Sequence, residues 1–398
     1  MNKPAFSTRA VHAGERAPHP DFTPVSTPIY STVGYLYDNM DDADAVLGSQ
    51  RPGYVYARYT GPTITAFEQA VASLEGAEAA QAYASGMAAI HAALLAAGVR
   101  AGTSVVAALD VYGATFSLLR HLFATLGVTP VMVDVTNLDE VEAALARTHA
   151  PAVLVETLSN PLLKVADIPA LAALAHRHNA ALLVDNTFAS PYLFNPLAHG
   201  ADYVIHSATK YLSGHGDVLA GVVATSAENK SKLYEMNKLI GGVLGPFEAW
   251  LALRGIKTLP LRMRQQCANA QRVARWLAAH PKISRVNYPG LESHPQHALA
   301  QQLFEGRGFG GVLSFEVTGA DTPAIFRLME RLTLCLPATT LGDIYTLVLH
   351  PATASHRSLT PQERAQVGIP DNLMRLSCGI EEADDILADL EQALQINL

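Results

Sequence analysis

Three short stretches carry residues able to do chemistry. Asp185 ends the apolar run Ala181-Leu182-Leu183-Val184 and is followed by Asn186 and Thr187. A carboxylate at the mouth of a buried strand needs a partner. Lys210 follows 25 residues later, among Ser207, Ala208, Thr209 and Gly214. Small, apolar and hydroxylic neighbours would partly desolvate its amine and make it a better nucleophile at neutral pH. The third stretch is Ala84-Ser85-Gly86-Met87, just ahead of a helical pattern. Gly86 permits close backbone approach, and a helix N-terminus presents free N–H groups to an anion. Taken singly, each stretch also fits an ordinary role: a turn or cap aspartate, a solvated lysine, an everyday helix start. Taken together they supply a carboxylate for a protonated pyridine nitrogen, an amine for an aldehyde, and a phosphate cradle. Those are the parts needed to hold pyridoxal 5'-phosphate. The hydroxyls of Ser207 and Thr209 lie on the same turn as Lys210 and can serve the same phosphate.

The elements that must position these residues follow from the apolar pattern. Runs at 104–109, 129–134, 152–156, 181–185, 203–207 and 220–225 are apolar throughout, which marks strands buried on both faces of a mostly parallel sheet. Helical stretches at 63–74, 86–97, 114–125, 138–147 and 167–178 alternate with them, so the expected fold class is α/β. In such a sheet, ligands bind beyond the carboxyl ends of the strands, where Asp185 and Lys210 fall. The order breaks around 240–260. A long helix is expected over 259–279. Strands at 283–288, 311–317, 344–349 and 373–377 then alternate with helices at 295–303, 322–331 and 382–394. This predicts a smaller C-terminal α/β domain over 258–398, after a cofactor-binding domain over 63–257. Residues 1–62 carry prolines at 18, 20, 24, 28 and 52 and many tyrosines. They read as an extended arm that needs another surface to pack on.

Composition narrows the function classes. Of the 398 residues, 49% are apolar and 16% charged, which excludes a disordered chain. The net charge of −8, with no Lys/Arg run, argues against nucleic acid or an anionic membrane as partner. Cys267, Cys335 and Cys378 are widely spaced and form no CxxC pair, which suits a reducing cytoplasm. No signal-peptide core is expected between Met1 and Arg16, and no apolar run approaches the ~20 residues of a spanning helix. A cytoplasmic protein is expected. His176, His178, His206 and His215 could be taken for metal ligands, but an i,i+2 pair shares no helix face and no HExxH occurs, so no metal is expected. A nicotinamide enzyme lacks its GxGxxG here.

Longer strings carry a family resemblance. Glu156-Thr157-Leu158-Ser159-Asn160-Pro161, Asp185-Asn186-Thr187 and Ser207-Ala208-Thr209-Lys210-Tyr211 resemble the Cys/Met-metabolism (transsulfuration) family of pyridoxal-phosphate enzymes. So do Tyr56-Ala57-Arg58-Tyr59-Thr60-Gly61-Pro62-Thr63, Tyr112-Gly113, Tyr288-Pro289-Gly290-Leu291 and Arg375-Leu376-Ser377. The resemblance runs from about residue 8 to 395. It implies the fold-type I (aspartate aminotransferase-like) architecture and a homotetramer built as a dimer of dimers. It implies that Lys210 joins the cofactor covalently and that Asp185 pairs with the pyridine nitrogen. Ser85, Gly86, Met87, Ser207 and Thr209 would bind the phosphate, joined by Tyr56 and Arg58 from a neighbouring subunit. Tyr112 would stack on the ring and move a proton. Asn160 would reach the phenolic oxygen, and Arg375 would clamp the substrate carboxylate.

Within the family, Lys210-Tyr211-Leu212-Ser213-Gly214-His215-Gly216-Asp217, Leu341-Gly342-Asp343, Arg254-Gly255-Ile256-Lys257-Thr258-Leu259 and His350-Pro351-Ala352 look most like methionine γ-lyases. Eukaryotic-type cystathionine γ-lyases carry glutamates where this chain has Val55 and Thr339. A less polar pocket, with Thr340 and Ala114 also facing substrate, suits a thioether methyl. Ala114 is itself a departure, since methionine γ-lyases usually have cysteine there. The implied reaction is α,γ-elimination of a sulfur amino acid. Lys210 removes the Cα proton, a Cβ proton follows, and Tyr112 protonates the departing thiolate. For methionine the products are 2-oxobutanoate, ammonia and methanethiol. Cystathionine γ-lyase, cystathionine γ-synthase and acyl-homoserine sulfhydrylase activities are the alternative.

Overall fold

Strands that read as apolar throughout should be covered on both faces, and they are. The computed structural model describes residues 4–15, 22–48, 50–357 and 359–395. Strands β1 (Ala79–Tyr83), β2 (Ser104–Ala108), β3 (Thr129–Val133), β4 (Ala152–Glu156), β5 (Ala181–Asp185), β6 (Tyr203–Ser207) and β7 (Gly221–Thr225) form one sheet, in the order β1-β7-β6-β5-β4-β2-β3. Strands β2 to β6 run parallel, and β7 runs against both its neighbours. Alternate side chains enter different cores. Leu182, Val184 and Val204 join one cluster, whereas Leu183 and Ile205 join the other. A two-faced sheet explains the continuous apolar runs.

The second sheet is mostly antiparallel. It holds β8 (Ile283–Asn287), β9 (Val312–Val317), β10 (Leu336–Pro337), β11 (Leu347–Leu349) and β12 (Leu373–Ser377), in the order β10-β11-β12-β9-β8. The helix Leu259–Ala279 ties the two units together. Its first half lends Leu259, Met263 and Cys267 to the core of the first sheet. Its second half lends Ala270, Val273, Ala274 and Leu277 to the core of the second. A residue near the middle of this helix therefore feels both cores.

Two differences from the sequence reading have physical causes. β1 reads Ala-Ala-Gln-Ala-Tyr, with little intrinsic strand preference. It is a strand because β7 pairs with it along its whole length. The N-terminal segment also holds two short helices, Phe6–His12 and Met40–Leu47. Asn39 caps the second by accepting the Asp42 N–H at 2.8 Å. Over 22–37 the chain carries no helix and is hooked to the helix Pro62–Glu75, where the Thr63 hydroxyl donates to Pro28 O at 2.8 Å. Prolines 18 and 20 lie outside the described residues.

Phe315 sits on β9, fully buried in the second core. Phe315→Ala should cost about 3–5 kcal/mol through lost transfer energy and a residual cavity. A lowered denaturant midpoint, followed by circular dichroism, is the expected result. An unchanged midpoint would mean that this core does not hold the C-terminal sheet.

Candidate active site

The carboxyl ends of β2, β4, β5 and β6 point one way because the strands are parallel, so the residues that follow them converge. The end of β1 joins them, since β1 and β6 both run against β7. The result is a cavity of about 350 Å³ lined by Ser85, Gly86, Met87, Tyr112, Glu156, Asn160, Asp185, Ser207, Thr209, Lys210, Thr339 and Arg375 among others. Eleven of the residues singled out in the sequence therefore line one cavity. Thr340 stands directly behind it. The Lys210 amine donates to the Thr340 hydroxyl at 2.8 Å.

The anion cradle is built by close packing. Ser85 caps the helix Gly86–Ala96 by accepting the Ala88 N–H at 3.2 Å. The Gly86 and Met87 N–H groups precede the first intrahelical bond and are left for a ligand. Only glycine fits at Gly86, because a Cβ there would meet Ser207 Cβ at 2.9 Å. A Cβ on Gly221 would meet Ser85 O at 2.1 Å. The turn thus lies flat against β6 and β7. Thr209 also lines the cavity, with its hydroxyl tied to the backbone of Ala220 as both donor and acceptor.

The charged groups are arranged in tiers. Asp185 Oδ1 accepts the Thr187 N–H at 3.0 Å and the Thr187 hydroxyl at 2.5 Å. Burial nevertheless raises its pKa, so a cation placed against it would be bound well. The Arg375 guanidinium is buried, and burial brings its pKa down to about 10. It donates to Asn160 Oδ1 at 3.1 Å and to Thr340 O at 2.9 Å. Desolvation lowers Lys210 to about 8, with the charge of Arg375 adding to the shift and Asp343 opposing it. Lys210 therefore keeps a substantial uncharged fraction near neutral pH.

These features fit pyridoxal phosphate. The cavity is lined by an acceptor carboxylate, by first-turn N–H groups with a serine hydroxyl, and by an amine whose pKa burial lowers. Ser207 and Thr187 stand on adjoining strand ends, where the Ser207 N–H donates to the Thr187 hydroxyl at 2.9 Å.

Tyr56 and Arg58, expected to serve a neighbouring subunit, and Val55 and Ala114, expected against substrate, lie outside this cavity. Tyr56 and Arg58 are exposed on the N-terminal segment, where Arg58 lies over the Tyr56 ring at 5.6 Å and donates to Lys238 O. Arg58 lines a different cavity with Tyr30, Tyr35 and the 241–246 turn. Val55 and Ala114 line neither cavity. The sequence reading gave no role to Glu156, Thr187 or Asp343. Glu156 ends β4 beside Asp185, so the reasoning that found one strand-end carboxylate could have found the other. Asp343 could be found only after folding, because it reaches Lys210 from the second unit. His206 faces away from the cavity, bonded to Glu75 at 2.6 Å in a buried pair.

Comparison with known proteins gives the class. Residues 7–395 match the family model for Cys/Met metabolism PLP-dependent enzymes, and the chain belongs to that family. It is 42% identical over 396 residues to an L-methionine gamma-lyase of Fusobacterium nucleatum subsp. polymorphum, covering 99% of this chain and 98% of the relative. It is also 42% identical over 392 residues to a cystathionine beta-lyase of Lactococcus lactis subsp. cremoris strain MG1363, covering 98% and 99%. A solved structure of a putative O-acetylhomoserine (thiol)-lyase from Campylobacter jejuni, containing N'-pyridoxyl-lysine-5'-monophosphate, matches with a TM-score of 0.92 at 32% identity. That match covers 98% of this chain and 100% of the other. The fold is therefore fold-type I, the cofactor is pyridoxal phosphate, and the protein is an enzyme of the carbon–sulfur lyase group. Among the described residues, no helix is long and apolar enough to cross a membrane.

Two measurements check the geometry. In cofactor-free protein, acetylation of Lys210 followed by peptide mass spectrometry should rise with pH to a midpoint near 8, because the amine reacts only when neutral. A midpoint near that of an exposed lysine would contradict the buried setting. Gly86→Ala should weaken pyridoxal phosphate binding by roughly tenfold or more, measured by titration of absorbance, since the new Cβ pushes the turn off Ser207. Equal affinity would show that the turn does not hold the phosphate.

Proposed function

We propose that this enzyme catalyses α,γ-elimination of L-methionine, with one water consumed in releasing ammonia, to 2-oxobutanoate, ammonia and methanethiol. One observation carries the reading. A lysine amine, an arginine, a tyrosine and a carboxylate line a single cavity. The likeness to a methionine gamma-lyase over nearly the whole chain supports that choice. An equal likeness to a cystathionine beta-lyase keeps cystathionine cleavage as the second reading, with γ-replacement on acyl-homoserines beside it.

When bound, pyridoxal phosphate supplies an electron sink for the bond broken at Cα. The residues of the chain do the rest. Arg375 binds the substrate carboxylate, with Asn160 and the Thr340 carbonyl holding its guanidinium flat. Asp185 holds the pyridine nitrogen. Gly86, Met87, Ser85, Ser207 and Thr209 hold the phosphate. The Lys210 amine takes the Cα proton and then assists at Cβ, parked on the Thr340 hydroxyl between tasks. Tyr112 hands a proton to the departing sulfur. Thr339 lines the pocket as an uncharged group where a carboxylate would attract a second polar end.

The N-terminal segment is assigned to a neighbouring subunit's site. Phe22, Val25, Val33, Leu36 and Met40 on it are exposed, more apolar surface than a lone chain leaves to water without reason. Burying it in a homotetramer of two tight dimers would carry Tyr56, Arg58 and Val55 to the partner's cavity. The three-part division at 62/63 and 257/258 follows the same logic, with the second boundary at the foot of the bridging helix Leu259–Ala279.

Incubation with methionine, cystathionine, homocysteine and O-acetylhomoserine in parallel tests the assignment, reading 2-oxo acid and volatile thiol. Methionine should yield equal amounts of 2-oxobutanoate and methanethiol. Inert methionine with cleaved cystathionine would overturn the first reading in favour of the second. Lys210→Ala should lose nearly all turnover of every substrate.

A further inference from the structure

Glu156 is a carboxylate with no cation to explain it. It ends β4, is 8% exposed, and stands in register with Asp185 on β5. Asp110, after β2, is a second buried acid nearby, and Lys164 reaches that one at 3.7 Å. Among the described residues, Glu156 has only backbone donors. Its Oε1 accepts the Tyr112 N–H at 2.6 Å and its Oε2 accepts the Asn160 N–H at 3.2 Å. Burial, then the charge of Asp185, pushes its carboxyl well up, with Asp110 adding to the shift. A buried acid beside two others is a costly way to fill space.

Both of its bonds end on residues of the site, and those residues stand on different loops. Tyr112 starts the helix Gly113–Ser117 after β2 and is 41% exposed, so its backbone sets where the ring goes. Asn160 follows β4 and holds Arg375 through Oδ1 at 3.1 Å. Arg375 in turn donates to Thr340, whose hydroxyl accepts from Lys210. One carboxylate thus links the loop of the tyrosine to the loop that sets the arginine.

We propose that Glu156 is a positioning residue, whose two oxygens fix the Tyr112 loop against the Asn160–Arg375 pair. The proposal rests on the roles assigned above to Tyr112 and Arg375. Chemistry makes it specific. A glutamine has the same shape but one acceptor oxygen and one NH2 group. Facing two N–H donors, it can satisfy only one of them. An aspartate is a methylene short and cannot reach both.

The test compares Glu156→Gln and Glu156→Asp with the unaltered protein in two ways. The first is amide hydrogen exchange of cofactor-free protein, read at residues 112 and 160. Glu156→Gln should exchange about tenfold faster at one of them, and Glu156→Asp at one or both, with the strands unchanged. The second is steady-state kinetics of the holoenzyme on whichever sulfur amino acid it cleaves. Both variants should lose roughly 10- to 100-fold in kcat/KM at an unshifted melting temperature. Unchanged exchange at both amides would overturn the proposal, whatever the substrate is. Faster exchange with unchanged kinetics would overturn it too, since the loops would then move without consequence. The exchange arm needs no substrate, so failure of the methionine assignment leaves this test decisive.

Discussion

Two cations line one cavity, and the site depends on how they are kept apart in role. Arg375 stays charged although burial works against it, because Asn160 and the Thr340 carbonyl both accept from it. Lys210 has one hydroxyl to donate to and a buried setting, so desolvation and the neighbouring guanidinium push it toward the neutral amine. Like charges in a low-dielectric pocket cannot both be comfortable. The chain gives the permanent charge to the guanidinium, which cannot lose its proton at working pH, and the variable one to the amine. Thr340 takes part in both arrangements, with its carbonyl on one cation and its hydroxyl on the other.

The acids are distributed by the same economy of solvent. Asp185, Glu156 and Asp110 stand at the ends of neighbouring strands β5, β4 and β2, with Glu156 in reach of the charge of both others. A parallel sheet imposes this, because its carboxyl ends are collected on one edge. Each acid is relieved differently. Asp185 has Thr187, Glu156 has two backbone N–H groups, and Asp110 has Lys164 nearby. The different partners mark the acids for different work.

The fold connects these groups across a long distance in sequence. Asp343 and Arg375 come from the second unit, yet both act on Lys210 at the edge of the first. The helix Leu259–Ala279 is the physical link, since it is packed into both cores. The N-terminal segment, hooked by Thr63 and by the Glu15–Lys257 pair, leaves its apolar side chains outward.

Much of this was legible in the residues alone. The apolar runs located β2 to β7 to within a residue, because burial on both faces leaves a continuous signal. The string around Lys210 and the carboxylate at Asp185 announced the cofactor, because few chemistries need an amine, an acid and an anion cradle together. Local pattern could not announce β1, whose alanines become a strand only by pairing with β7. It could not show that Thr340 bridges the two cations, or that Glu156 holds two loops, because each arrangement needs a distant partner: Tyr112 lies 44 positions from Glu156, and Lys210 lies 130 from Thr340. Residue type and short spacing reveal what chemistry a chain is equipped for. Which groups share a proton, a charge or a wall is decided by burial and contact, and those exist only once distant segments have been folded together.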